Sequence, residues 1–174
     1  MNRRILLALV AAFGLFAVAG AAIANERSAA AEAVPSTAAF HDLDQAVAAG
    51  YSFRLPELSG RTCIEQPGEG AMGVHMVNLD LVLDGAIDAT KPDVLVYEPR
   101  SDGSLKLVAV EYVVFVGAWT GDDPPALFGR EFDLVGEPNR YGLPAFYALH
   151  SWIWTPNPSG LLHAWNPRVA CDGS

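Results

Sequence analysis

The stretch PDVLVYEPRSDGSLKLVAVEYVVFV, residues 92–116, constrains the fold more than any other part of this chain. Two runs rich in β-branched and aromatic residues flank Asp102-Gly103, a dipeptide that readily takes the backbone angles of a tight hairpin. The two runs are therefore expected to pair antiparallel. Further along, LFGREFDLV and AFYALHSWIWT read as two more strands, the last ended by Thr155-Pro156-Asn157-Pro158. Ahead of the hairpin, AAFHDLDQAVAAGY sets Phe40, Leu43 and Val47 at helical spacing, with Gly50 as the stop. The expected fold class is α+β, mainly antiparallel β, with one N-terminal helix on a curved sheet or partly closed barrel.

Two features place the chain outside the cytoplasm. The amino end, MNRRILLALVAAFGLFAVAGAAIANE, joins two arginines, a long apolar run and an Ala22-Ile23-Ala24 exit, the pattern of a signal peptide over residues 1–24. The run is long enough to span a bilayer, but its Ala and Gly content favours cleavage over an uncleaved anchor. Residues 25–37 hold Ala, Ser and Pro without an apolar stripe and read as a flexible leader; residues 38–174 read as a single globular domain. The only cysteines, Cys63 and Cys171, are most simply a disulfide in an oxidising compartment, since no further thiol completes a Cys-based metal site. The expected location is secreted or periplasmic.

Charge narrows the partners. The chain carries a formal −9, and losing Arg3 and Arg4 with the signal makes it −11. Nucleic acid and anionic membrane surfaces are poor partners for such a protein, which leaves a metal ion or a small molecule.

GEGAMGVHMVN, residues 68–78, contains a G-x-G-x-x-G. A dinucleotide fingerprint needs those glycines on a turn from a buried strand into a helix, and neither flank fits. Gly68, Gly70 and Gly73 are instead expected to form a sharp loop held by the neighbouring disulfide, and no organic cofactor is assigned. G-x-S-x-G and H-E-x-x-H are absent, so no catalytic residue is assigned. A carboxylate pair drawn from Glu65, Glu98, Glu111 and Glu137 has no sequence spacing to test.

A polar set in apolar surroundings remains: His75 in the glycine loop, Glu98 at a strand end, Glu111 in mid-strand, and His150. Glu111 is the most telling, because VAVEYVVFV surrounds it with side chains that would bury it, and alternation makes Leu107, Ala109, Val113 and Phe115 its face-mates. A buried carboxylate must be protonated, hydrogen-bonded or paired with a cation. His75, His150 and Glu111 together form a sufficient ligand set for a transition metal ion with open positions. The same residues also suit a structural hydrogen-bond network or a metal-free acid/base site. Met72 and Met76 flank His75, and thioether with imidazole suits copper. Counting by twos from Phe146 puts Ala148, His150, Trp152 and Trp154 on one face, an aromatic row that can line an apolar ligand pocket or pack the core. His41 and His163 read as surface histidines, and Thr120–Gly129 as a surface turn or a lid.

Gly70-Ala71-Met72-Gly73-Val74-His75, Val94 to Pro99, Val110-Glu111-Tyr112, Pro125 to Gly129, Leu149 to Trp154, Asn157 to Gly160 and Trp165 to Cys171, in that order, resemble a group of exported bacterial proteins of unknown function. The resemblance covers most of the chain from about Gly50 onward. It implies a shared architecture and brings no catalytic assignment.

Overall fold

Valine is the commonest residue in both arms of the central hairpin and each arm carries a tyrosine, and a pleated, half-covered surface accommodates such branched or planar side chains best. In the computed structural model, which describes residues 28–173, these arms are β4 (Val94–Pro99) and β5 (Leu105–Phe115), paired antiparallel. The turn between them closes as the sequence leads one to expect. Asp102 accepts from the Ser104 backbone at 2.9 Å, and Gly103 takes φ +83°.

Around this hairpin lies an open sheet of seven strands in the order β1-β3-β4-β5-β9-β8, with β2 also paired to β3. Its other members are β1 (Tyr51–Arg54), β2 (Cys63–Gln66), β3 (Gly70–Asn78), β8 (Asp133–Val135) and β9 (Phe146–Ser151). Every pairing is antiparallel. The sheet curves without closing, so of the two expected forms it is the curved sheet. LFGREFDLV breaks into β6 (Ala126–Leu127), β7 (Arg130–Glu131) and β8 rather than one strand, because Phe128 and Gly129 both take positive φ and turn the chain back.

Three further sequence expectations change. The glycine stretch is a strand over most of its length: β3 runs through Gly70 and Gly73, paired with β2 on one side and β4 on the other. Gly73 has φ +112°, and a Cβ there would stand 2.5 Å from the Tyr97 carbonyl oxygen, so the residue serves close strand approach rather than a loop. The single N-terminal helix is a 3-10 turn (Ala38–His41) followed by α2 (Leu43–Ala48), divided at Asp42, whose extended backbone and side chain cap the second piece by accepting from Asp44 N at 3.0 Å. Within the stretch read as a flexible leader, Ala33–Thr37 form helix α1, and Ala30, Ala33 and Thr37 are buried. The signal sequence, residues 1–24, lies outside the described residues.

The two faces of the sheet are covered differently. One packs Val74, Met76, Leu95, Tyr97, Leu107, Val110, Tyr112 and Leu149 beneath the N-terminal helical segments, Phe128 and Phe132. Tyr97 and Tyr112 are fully buried as rings, and each hydroxyl reaches a backbone carbonyl, of Phe40 and Ala89 respectively. Burying such side chains contributes about 1.5–3 kcal/mol apiece. The other face carries Val77, Val94, Val96, Val113, Phe146 and Ala148. A bulge where Val96 and Tyr97 meet Ala109 and Leu107 shifts the alternation of β5 at Val108, so Leu107 lies on the first face and is no face-mate of Glu111.

Candidate metal centre

The second face is where the imidazoles and the carboxylate meet. His75 stands on β3 opposite Val96, Glu111 on β5 opposite Val94 and His150, and His150 on β9. Three strand intervals separate β3 from β9, roughly 14 Å in a flat sheet. Yet His75 Nε2 lies 3.4 Å from His150 Nε2, so this face is the inside of the curve. Glu111 Oε2 is 3.5 Å from His75 Nε2, and Glu111 Oε1 is 3.3 Å from His150 Nδ1. One ligand atom from each residue falls within 4.8 Å of the others. All three side chains are buried.

Burial sets their protonation. It pushes Glu111 up to about 8 and His75 down to about 4, and holds His150 well below its ordinary value. Near neutral pH the metal-free trio is therefore an uncharged set. His75 Nδ1 donates to the Gly73 carbonyl at 3.2 Å, which fixes the tautomer and turns the Nε2 lone pair toward Glu111 and His150. The remaining protons then fall into one chain, from Glu111 to His150 Nδ1 and from His150 Nε2 to His75 Nε2. Trp152 stacks on the His150 ring, 6.2 Å between centroids and 19° between planes, and donates through its indole N–H to the His163 carbonyl.

Above the trio opens a cavity of about 350 Å³. Val77, Val94, Val113, Phe146 and Ala148 form its inner wall, with Phe53, Leu79 and Leu83 toward the surface. Tyr141 enters from the loop before β9, and its hydroxyl donates to Met72 Sδ at 3.9 Å, a weak acceptor. Neighbouring Arg140 pins that loop. Its guanidinium is 2.6 Å from Glu57 Oε1, close enough for an ion pair though not angled as a hydrogen bond, and it donates to the Glu65 carbonyl and lies over the Trp165 ring. No sequence signal marked Tyr141 or Arg140, because a loop residue shows its partners only once the chain is folded.

Other expected participants lie apart. Glu98 pairs with Lys106 at 3.6 Å across the far end of the hairpin. Glu65 is 3.5 Å from Arg61, and Glu137 accepts from Ala145 N, so neither joins Glu111. Met76 belongs to the opposite face, which excludes a site with both thioethers; Met72 alone lines the cavity. Trp154 likewise leaves the expected aromatic row, packing on His41 and donating to Thr37 Oγ1. Trp152 and Trp154 border a separate cleft beside the N-terminal helices, whose lining includes no titratable side chain. His41 is exposed, whereas His163 is half-buried, its ring nitrogen against the backbone of Trp165. The Thr120–Gly129 stretch is no lid on this cavity, since Phe128 packs on Tyr112 on the other face. Cys63 and Cys171 form the expected disulfide.

No family model, curated protein or solved structure matches this chain.

Proposed function

We propose that the protein is an exported binding protein whose working element is a mononuclear site for a divalent first-row transition ion, held by His75, Glu111 and His150. The spacing of ligand atoms carries this reading. Metal–nitrogen and metal–oxygen bonds of about 2.0–2.2 Å at tetrahedral angles put neighbouring ligand atoms about 3.3–3.6 Å apart. The His75–His150 and His75–Glu111 separations, 3.4 and 3.5 Å, fall in that interval.

The chemistry of the set agrees. Two neutral imidazoles and one carboxylate are borderline donors suited to zinc, iron(II), nickel or copper(II), and three protein ligands leave a position open. The Gly73 carbonyl behind His75 is the kind of outer partner that orients a ligating ring. Export is supported by the signal-like amino end and by a disulfide that an oxidising compartment sustains.

Titrating metal-free protein with cobalt(II) and zinc(II) tests the proposal. One equivalent of cobalt should bind with the intense visible bands of a four- or five-coordinate ion. Binding no tighter than that of a His75→Ala, Glu111→Gln, His150→Ala triple variant would overturn it and leave a structural hydrogen-bond network.

A further inference from the structure

The cavity over the trio has two chemically distinct ends. Its floor presents His75, Glu111 and His150, and its walls are aliphatic and aromatic out to the surface, where the one further carboxylate of the lining, Asp133, is exposed and paired with Arg130 at 3.5 Å. Of the seven large apolar side chains exposed among the described residues, Phe53, Leu79 and Leu83 line this one opening, at 41%, 47% and 71% exposure. An apolar rim leading to an apolar wall suits a ligand with a hydrocarbon body.

Charge balance specifies the other end of that ligand. A divalent ion with two neutral imidazoles and one carboxylate carries a net +1, and a net charge buried among valines is costly until it is neutralised. One anionic oxygen ligand at the open position neutralises it. Tyr141 lines the same cavity with a hydroxyl whose acceptor is only a thioether, so it is free to donate to a second oxygen of the same head group. A head with one negative charge and two oxygens is a carboxylate. Size sets the body: about 350 Å³ is near the lower end of small-molecule pockets, too small for a two-chain lipid.

We infer that the cavity binds a medium-chain monocarboxylate, its head on the metal held by His75, Glu111 and His150 and its chain along Val77, Val94, Val113 and Phe146. The inference rests on the metal reading above and adds the class of ligand.

Cobalt(II)-loaded protein titrated with octanoate, acetate and 1-octanol tests it, read by the visible bands of the ion and by calorimetry. Octanoate should perturb the bands and bind at least tenfold more tightly than acetate or octanol, and at least tenfold more tightly than to metal-free protein. Leu83→Asp, a change at an exposed rim position, should weaken octanoate severalfold and leave acetate unaffected. If cobalt never gives the bands, the metal reading fails and takes this inference with it. If the bands form but octanoate binds no better than acetate, or if Leu83→Asp leaves octanoate unaffected, the ligand class is wrong while the metal site stands.

Discussion

Glu111 and His150 are direct cross-strand partners on β5 and β9, and Glu111 Oε1 lies 3.3 Å from His150 Nδ1. The pairing places a carboxyl and an imidazole in a wall of valines, where neither can be charged without a partner. Both states of the site follow from this. Without metal the pair shares a proton; on the metal reading proposed above, that proton would leave and the Glu111 carboxylate would serve as a ligand.

Glu111→Gln separates the two states. The amide keeps the shape and the neutrality of the protonated carboxyl, so below about pH 4.5 the metal-free variant should unfold within about 1 kcal/mol of the parent, and at pH 7 it should be the more stable of the two, because only the parent must keep a proton that its unfolded chain has released. Zinc affinity should fall on the order of a hundredfold or more, since an anionic ligand is lost. Chemical denaturation and competitive chelator titration check the two halves.

The pH dependence of stability has a definite sign. Burial raises Glu111 from 4.5 to about 8 and Asp93 from 3.8 to about 7. A raised carboxyl keeps its proton in the folded chain after the unfolded chain has lost it. Each therefore contributes most below its unfolded value, and the contribution is lost as pH climbs toward the folded one. His75 and His150 are shifted the other way: the unfolded imidazoles hold protons below about pH 6.5 that the folded chain lacks, so their contribution grows as pH rises to that point. The opposed shifts nearly balance between about pH 4.5 and 6.5, and metal-free protein should lose stability from about pH 6.5 to pH 8. Asp93→Asn retains a carbonyl to accept from Val113 N, an interaction now 2.9 Å long, and removes one of the two falling contributions, so stability of that variant should rise between about pH 4.5 and 6.5. Denaturant midpoints measured across the range decide it, and a parent midpoint that rises from about pH 6.5 to pH 8 would contradict the assignment.

Gly73 links the backbone to the site. It carries φ +112°, faces the Tyr97 carbonyl oxygen at 2.5 Å from where a Cβ would stand, and offers its own carbonyl to His75 Nδ1. Gly73→Ala should cost about 2–4 kcal/mol through strain and strand separation, and should lower zinc affinity even where the variant is fully folded. Thermal melts with metal titration of the folded fraction measure both. Gly68→Ala is the control for steric crowding, because a Cβ there meets nothing within 4 Å although its φ is also positive, at +89°.

How much of this was legible in the sequence depends on distance along the chain. The β4–β5 hairpin was readable because its pattern and its turn chemistry are local, down to Asp102 accepting from Ser104. The bulge at Val108 was not, so strict alternation misassigned Leu107. Glu111 stood out as a carboxylate in an apolar run, and its burial is what that run implies. The meeting of His75 with His150 could not be read, because it requires the order β3-β4-β5-β9 and the curvature of the sheet, both set by pairings between distant segments. A signal was available for Met76: as the neighbour of His75 in a strand it must face the other way, but the glycines around it made the stretch look like a loop.

The Cys63–Cys171 bond ties β2 to the carboxyl end across 108 residues of sequence. In the chain-entropy treatment a crosslink of that span raises stability by roughly 5 kcal/mol, because the unfolded chain loses a large closed loop of conformations. Its effect on the site should be indirect. Ala71 of β3 exchanges both backbone hydrogen bonds with Asn166, and the crosslink holds the carboxyl segment near that bridge. A Cys63→Ser, Cys171→Ser double variant should therefore show a much lower denaturant midpoint. Where it remains folded, its zinc affinity should change less than tenfold, since none of the three ligands lies on the freed segment. A similar midpoint with and without the bond would mean that the sheet alone specifies the fold. A large loss of metal affinity in folded protein would mean instead that the carboxyl segment holds β3, and His75 with it, in place.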